Sequence, residues 1–145
     1  MFASILFLSS ILFATRLHAA EDINCKVLTI EASNDNSGVA QSLKEYTSVF
    51  SQKPFNSFNS FKLISETDYT LTLNTPRTLS LPDTLNGILA YKGKSDSSLQ
   101  LTLKLAKAQQ PPIIIDGKAG NGIPFMAAGF KSPNGRWILA VKCND

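Results

Sequence analysis

Carboxylates carry most of the chemistry this chain could perform, because imidazole is nearly absent. The sequence has one histidine, His18, and it falls in a leader that export would remove. A mature chain without histidine leaves out most general-base, triad and zinc chemistry. Glu66 and Asp68 are two apart and would share one face of a strand. Glycoside hydrolysis uses such a pair at separations of roughly 5–9.5 Å, although a neighbouring pair at a strand junction is usually just solvated. Asp116 stands beside Gly117 and reads as a turn residue.

Three other groupings invite a functional reading. Phe55, Phe58 and Phe61 recur at intervals of three. Exposed, the row could stack on sugar rings or insert into a membrane face, so these three form the candidate binding surface. Buried, each would contribute roughly 1.5–3 kcal/mol and would pin a helix-to-strand connection. Leaving all three wet would make an unusually large apolar patch. Asn34, Asp35 and Asn36 supply oxygens that calcium favours, but further carboxylates at defined spacing are missing. A helix start with Ser37 near its cap explains the same residues, and no metal is expected. Lys118-Ala-Gly-Asn-Gly122 is glycine-rich, yet Ile123-Pro124-Phe125 follows it where a phosphate loop needs a helix. It reads as a turn, and no cofactor is expected.

The compartment follows from the two ends of the chain. Residues 1–14 form an apolar run too short for the roughly 20 residues of a bilayer span. Thr15, Arg16, Leu17 and His18 break it, and Ala19 and Ala20 resemble a signal-peptidase site. Residues 1–20 are therefore expected to be a signal peptide and 21–145 a single domain, periplasmic or secreted, with no stable membrane span after cleavage. Cys25 and Cys143 are the only cysteines. With no CxxC spacing and no histidine to join them, they are expected to form one structural disulfide. Antiparallel pairing of the first and last strands would bring them together.

Composition is that of an ordinary globular domain, 43% apolar and 17% charged over 145 residues. Fourteen Lys and Arg against eleven Asp and Glu give +3, and loss of Arg16 leaves 13 − 11 = +2. That balance is too weak and too evenly spread for a nucleic-acid partner.

The elements that must position these residues are mostly strands. Cys25 to Ala32 is rich in β-branched residues. Val39, Leu43, Tyr46 and Phe50 mark one face of a helix over 39–51, ended by Pro54. Alternation by two then begins at Phe61 and is clearest at Leu99, Leu101, Leu103 and Leu105. Gly93 to Asp96 reads as a turn, Ile113 to Ile115 as a short buried run, and Ser132-Pro133-Asn134-Gly135 as a hairpin. Trp137 shares a face with Leu139 and Val141 and belongs to the core. The fold class expected is mostly β, an antiparallel sandwich or barrel-like pair of sheets, with one short α-helix near the start of the mature domain.

Asn59-Ser-Phe-Lys-Leu-Ile64, Leu81-Pro82 with Asn86-Gly87, and Gly122-Ile-Pro-Phe125…Gly129…Gly135-Arg-Trp-Ile-Leu-Ala140 resemble a group of small exported bacterial β-domain proteins. The likeness covers most of the mature chain. It rests on turn glycines and core residues, so it implies a fold and carries no activity. The group usually has a tighter Leu-Pro-Asn-Gly turn, and this chain inserts residues between Pro82 and Asn86.

Together these features point to an exported, non-catalytic binding or structural module of the cell envelope. Its partner would be an envelope or secreted protein, or a glycan, met at a sheet edge or at the loops of one end. A small inhibitor of a secreted hydrolase, using Gly93–Ser98 or Lys131–Gly135 as its contact loop, is the first alternative. A carboxylate hydrolase using Glu66, Asp68 or Asp116 is the second.

Overall fold

The computed structural model describes residues 21–120 and 122–144. The expected signal peptide, 1–20, lies outside the described residues.

Among the described residues, nine strands build two sheets. The first sheet contains β1 (Asp22–Ser33), β2 (Gly38–Val39), β3 (Ser60–Thr72), β8 (Phe125–Lys131) and β9 (Gly135–Asn144), in the order β2-β3-β1-β9-β8. The second contains β4 (Arg77–Ser80), β5 (Asn86–Ser95), β6 (Ser98–Ala106) and β7 (Ile113–Ala119) in sequence order. All pairings are antiparallel except the short one of β2 with β3. The sheets form a sandwich because their inward faces are apolar at every second residue. Leu99, Leu101, Leu103 and Leu105 of β6 are all buried, against Ile23, Cys25 and Val27 of β1, Tyr69 and Leu71 of β3, and Leu139 and Val141 of β9. Trp137 lies in the same core.

A second core lies on the opposite side of the first sheet. Leu28, Ile30 and Ala32 of β1 and Ile138 and Ala140 of β9 point outward there. They are covered by a 3-10 helix (Gln41–Tyr46), by α1 (Thr47–Phe50) and by a 3-10 turn (Phe55–Ser57), which contribute Leu43, Tyr46, Phe50 and Phe55. The Phe50 and Phe61 rings stack with centroids 4.0 Å apart. The apolar spacing over 39–51 thus marks one short helical segment and its covering face, with 3-10 geometry over Gln41–Tyr46 and α geometry over Thr47–Phe50. Ala40 N–H donates to Phe61 O, which ties the start of the segment to β3. The Thr47 hydroxyl donates to Lys44 O and the Ser51 hydroxyl to Thr47 O. Such back-bonding competes with regular helix and favours short turns.

Three local expectations differ from the structure. Ile113–Ile115 belongs to the edge strand β7, and Ile114 is 63% exposed. Only one face of that strand has a sheet to pack on. Asp116 is likewise inside β7, opposite Thr102, and not in a turn. Strand β5 runs through Gly93 to Ser95, and the hairpin tip is Asp96-Ser97. Both tip residues have positive φ (50° and 67°), the pairing of a type I′ turn that follows strand twist. The residues inserted after Pro82 deliver Leu85 into the core. Asp83 there accepts hydrogen bonds from Lys107 Nζ at 3.0 Å and from the Trp137 indole at 3.5 Å.

Cys25 and Cys143 stand directly opposite in the β1–β9 ladder and are joined by a disulfide. Both are buried in the inter-sheet core. No helix among the described residues is long and apolar enough to cross a membrane.

Candidate functional site

The helical cover is shorter than the strands beneath it. It ends over Leu28, and beyond that point the outward face of the first sheet is polar. Register fixes the rows across β3, β1 and β9. Asp68, Lys26 and Lys142 form one row, and Thr70, Asn24 and Asn144 the next. Ser42, Glu45 and Tyr46 of the 3-10 helix wall one side. The result is an open groove of about 490 Å³ with Leu28 in its floor.

Four of its five charges are paired locally. Lys26 and Lys142 face each other across the ladder, an arrangement that is unfavourable for like charges. Each ammonium turns instead to a carboxylate. Lys26 donates to Glu66, and Lys142 donates to Glu45 at 3.3 Å. The hydrogen bond and charge of Glu66, with the charge of Asp68, hold the Lys26 ammonium above the usual lysine value. Burial pushes the Tyr46 phenol up to about 12, aided by its hydrogen bond to Glu45 and by the charges of Glu45 and Glu66. Asn24 Oδ1 accepts from Thr70 Oγ1 at 3.1 Å, which turns the Asn24 amide into a fixed part of the floor.

The sequence-derived site residues separate into different regions. Glu66 and Asp68 do share the groove face of β3. Asp116 is on the outer face of the second sheet, on the far side of the molecule, where its carboxylate accepts from Thr102 Oγ1 at 2.6 Å. Phe55 and Phe61 are buried in the second core and Phe58 packs half-buried beside them, so the three present no continuous exposed row. In the glycine-rich segment, Lys118 and Ala119 end β7, and Gly120 and Ile123 exchange backbone hydrogen bonds just beyond it.

Oxygens of the Asn34–Asn36 loop are engaged by the protein itself. Asn34 Oδ1 accepts from Asn59 N–H, and Asn36 exchanges hydrogen bonds with the Asn59 amide. Asp35 accepts from the Ser37 N–H and hydroxyl, and from Lys62 at 2.7 Å. Those donors, the Lys62 ammonium first, hold the Asp35 carboxyl well below the usual carboxylate range. Nearby, Glu31 is a buried carboxylate that accepts from Asn134 N at 3.0 Å and Asn134 Nδ2 at 3.3 Å. Burial alone would raise its pKa. The hydrogen bonds from Ser132 and Asn134 and the charge of Lys62 outweigh burial and lower it. This cluster fastens the β8–β9 hairpin to the central strand.

The groove offers recognition chemistry. It presents amides, hydroxyls, two ammonium groups and three carboxylates, with Glu66 and Glu45 already ion-paired. Asp68 is exposed. Sequence reasoning missed Asn24, Lys26, Ser42, Glu45, Tyr46, Thr70, Lys142 and Asn144 as site residues. No protein-family model matches this chain, nor does any curated protein or solved structure.

Proposed function

We propose that the protein is an exported, non-catalytic binding module of the cell envelope that meets its partner through this groove. The observation that carries the reading is the groove itself. It is a concave, polar half-face on the most central strands, bordered by a helical segment and furnished with donors and acceptors. Each of its carboxylates is either ion-paired or open to water, an environment suited to orienting a ligand and poorly suited to moving a proton. The buried disulfide supports an oxidising compartment, and the leader sequence supports the same placement. The two hairpin regions that an inhibitor would present are short. Asp96-Ser97 is a two-residue tip, and the 132–135 turn is fastened to Glu31.

Retention of envelope components on the immobilised mature protein tests the reading. Asn24→Ala combined with Lys142→Ala is expected to lose what the wild type retains, while Thr102→Ala on the far sheet is not. Hydrolytic turnover abolished by Glu66→Gln would overturn it.

A further inference from the structure

Strand β3 is the longest strand of the molecule's described part, and most of one edge is open. The two residues of β2 pair only with Ser60 and Phe61. Among the described residues, no strand and no backbone hydrogen bond from a turn or loop reaches that edge between Lys62 and Leu71. A free edge is a template for another strand, and proteins usually defend one by shortness, lysine, proline or a bulge. Here a bulge sits at Ile64, where Thr29 pairs with Ser65 and Ile30 with Leu63. From Ser65 to Leu71 the edge carries no lysine and no proline. Its only charges are Glu66, whose second oxygen remains open beside its pair with Lys26, and Asp68, both on the groove face.

We infer that β3 accepts an added strand, an extended basic segment of a partner protein that pairs with its free edge and sets alternate basic side chains against Glu66 and Asp68. This rests on the reading of the groove as a binding surface and names the partner's chemistry. Strand addition takes affinity from main-chain hydrogen bonds and specificity from alternate side chains. Side chains of the incoming strand would alternate as basic residues opposite Glu66 and Asp68 and a polar residue opposite Thr70. On the other face, small or β-branched residues would meet Ser65 and Thr67. Ile64, 44% exposed at the bulge, offers an apolar contact at the end of the pairing. A second copy of this chain is a poor occupant. Antiparallel self-pairing about Thr67 sets Glu66 against Asp68 twice, and in-register parallel pairing stacks each carboxylate on its equivalent. Like charges directly opposite are destabilising.

The test uses the oxidised mature protein and three synthetic ten-residue peptides. One alternates lysine with valine and threonine, one replaces every lysine by glutamate, and one is the lysine peptide N-methylated at alternate backbone nitrogens. The lysine peptide is expected to bind and to slow amide hydrogen exchange at alternate positions between Ser65 and Leu71. The other two peptides are expected to do neither. Glu66→Gln with Asp68→Asn is expected to weaken the lysine peptide about fivefold, the scale of two exposed charge pairs. Equal binding of the glutamate or N-methylated peptide, binding without protection in β3, or no binding at millimolar peptide would each overturn strand addition. If any of those results accompanies partner retention that still depends on Asn24 and Lys142, the binding-module reading stands and only the added strand falls.

Discussion

Reducing the Cys25–Cys143 bond is the sharpest perturbation of the fold, and its size can be worked from the chain. The bond joins residues 118 apart in sequence, so nearly the whole domain lies inside the closed loop. The chain-entropy relation gives about 5 kcal/mol for a loop of that length, at the upper end of the 2–5 kcal/mol commonly lost when a native disulfide is removed. The two cysteines already sit opposite each other in a ladder held by hydrogen bonds and core packing, so reduction leaves the folded contacts in place. The effect should appear almost entirely in the unfolded ensemble. Urea unfolding of the same protein with and without dithiothreitol isolates it, since no side-chain atoms are removed. With a slope of about 2 kcal/mol per molar urea, the midpoint should fall by about 1–2.5 M. The slope itself should rise, because an open unfolded chain exposes more surface. The reduced protein should keep a β-type far-ultraviolet spectrum without urea. Coincident midpoints for the two forms would refute the reasoning, and so would two alkylatable thiols in the protein as isolated from its natural compartment.

Two further outcomes follow from particular packing. Glu31→Ala leaves the Asn134 donors without their acceptor, and should cost about 1–3 kcal/mol in the same unfolding assay. Because the folded Glu31 carboxyl is held below its ordinary value, its contribution is complete above about pH 5. It is lost as the pH falls through and below the unfolded value near 4.3, and Glu31→Gln should flatten that acid limb. At Gly117 an added Cβ would overlap the Phe125 ring. Gly117→Ala should therefore destabilise by about 1–3 kcal/mol, with part of the loss recovered by Phe125→Leu in a double-mutant cycle.

The sandwich was legible because its strongest signals are local. Leu99 to Leu105 alternate without exception, and all four leucines are buried against the facing sheet. The two cysteines implied that the first and last strands are neighbours, and they are paired residue for residue. Elements with weaker local signals were read less completely. The 39–51 stripe does form the short helix, but its first six residues, Gln41–Tyr46, are 3-10 and only Thr47–Phe50 are α. Ile113–Ile115 has the composition of a core strand, but composition does not say whether a second sheet lies on the other side. The groove was legible in part. Placing Cys25 opposite Cys143 also sets Lys26 opposite Lys142 and Asn24 opposite Asn144, so half of its floor follows from the disulfide and strand periodicity. The other half does not. Its β3 row depends on a register that the bulge at Ile64 shifts by one residue, and a one-residue shift exchanges the faces of a strand.

A merely solvated sheet face and a binding groove make different demands, and under the proposed function the region beyond Leu28 serves as the second. Solvation is served by long side chains spread apart on a convex surface. Here two lysines are set opposite each other, a juxtaposition with no advantage for stability, and each is steadied by a carboxylate from a different element. Glu66 comes from the neighbouring strand and Glu45 from the helical wall. The Lys142–Glu45 pair fixes the wall to the floor, so the width of the groove is set by side chains that are themselves exposed. Exposed pairs contribute little to folding. On the proposed reading, they hold donors and acceptors of the groove at a fixed spacing. Asp68 completes the contrast. It is the one carboxylate of the groove that makes no hydrogen bond among the described residues, and it stands on the strand whose outer edge is open. An acceptor without a hydrogen bond thus stands beside unpaired backbone groups at the β3 rim, where a partner strand would meet both at once.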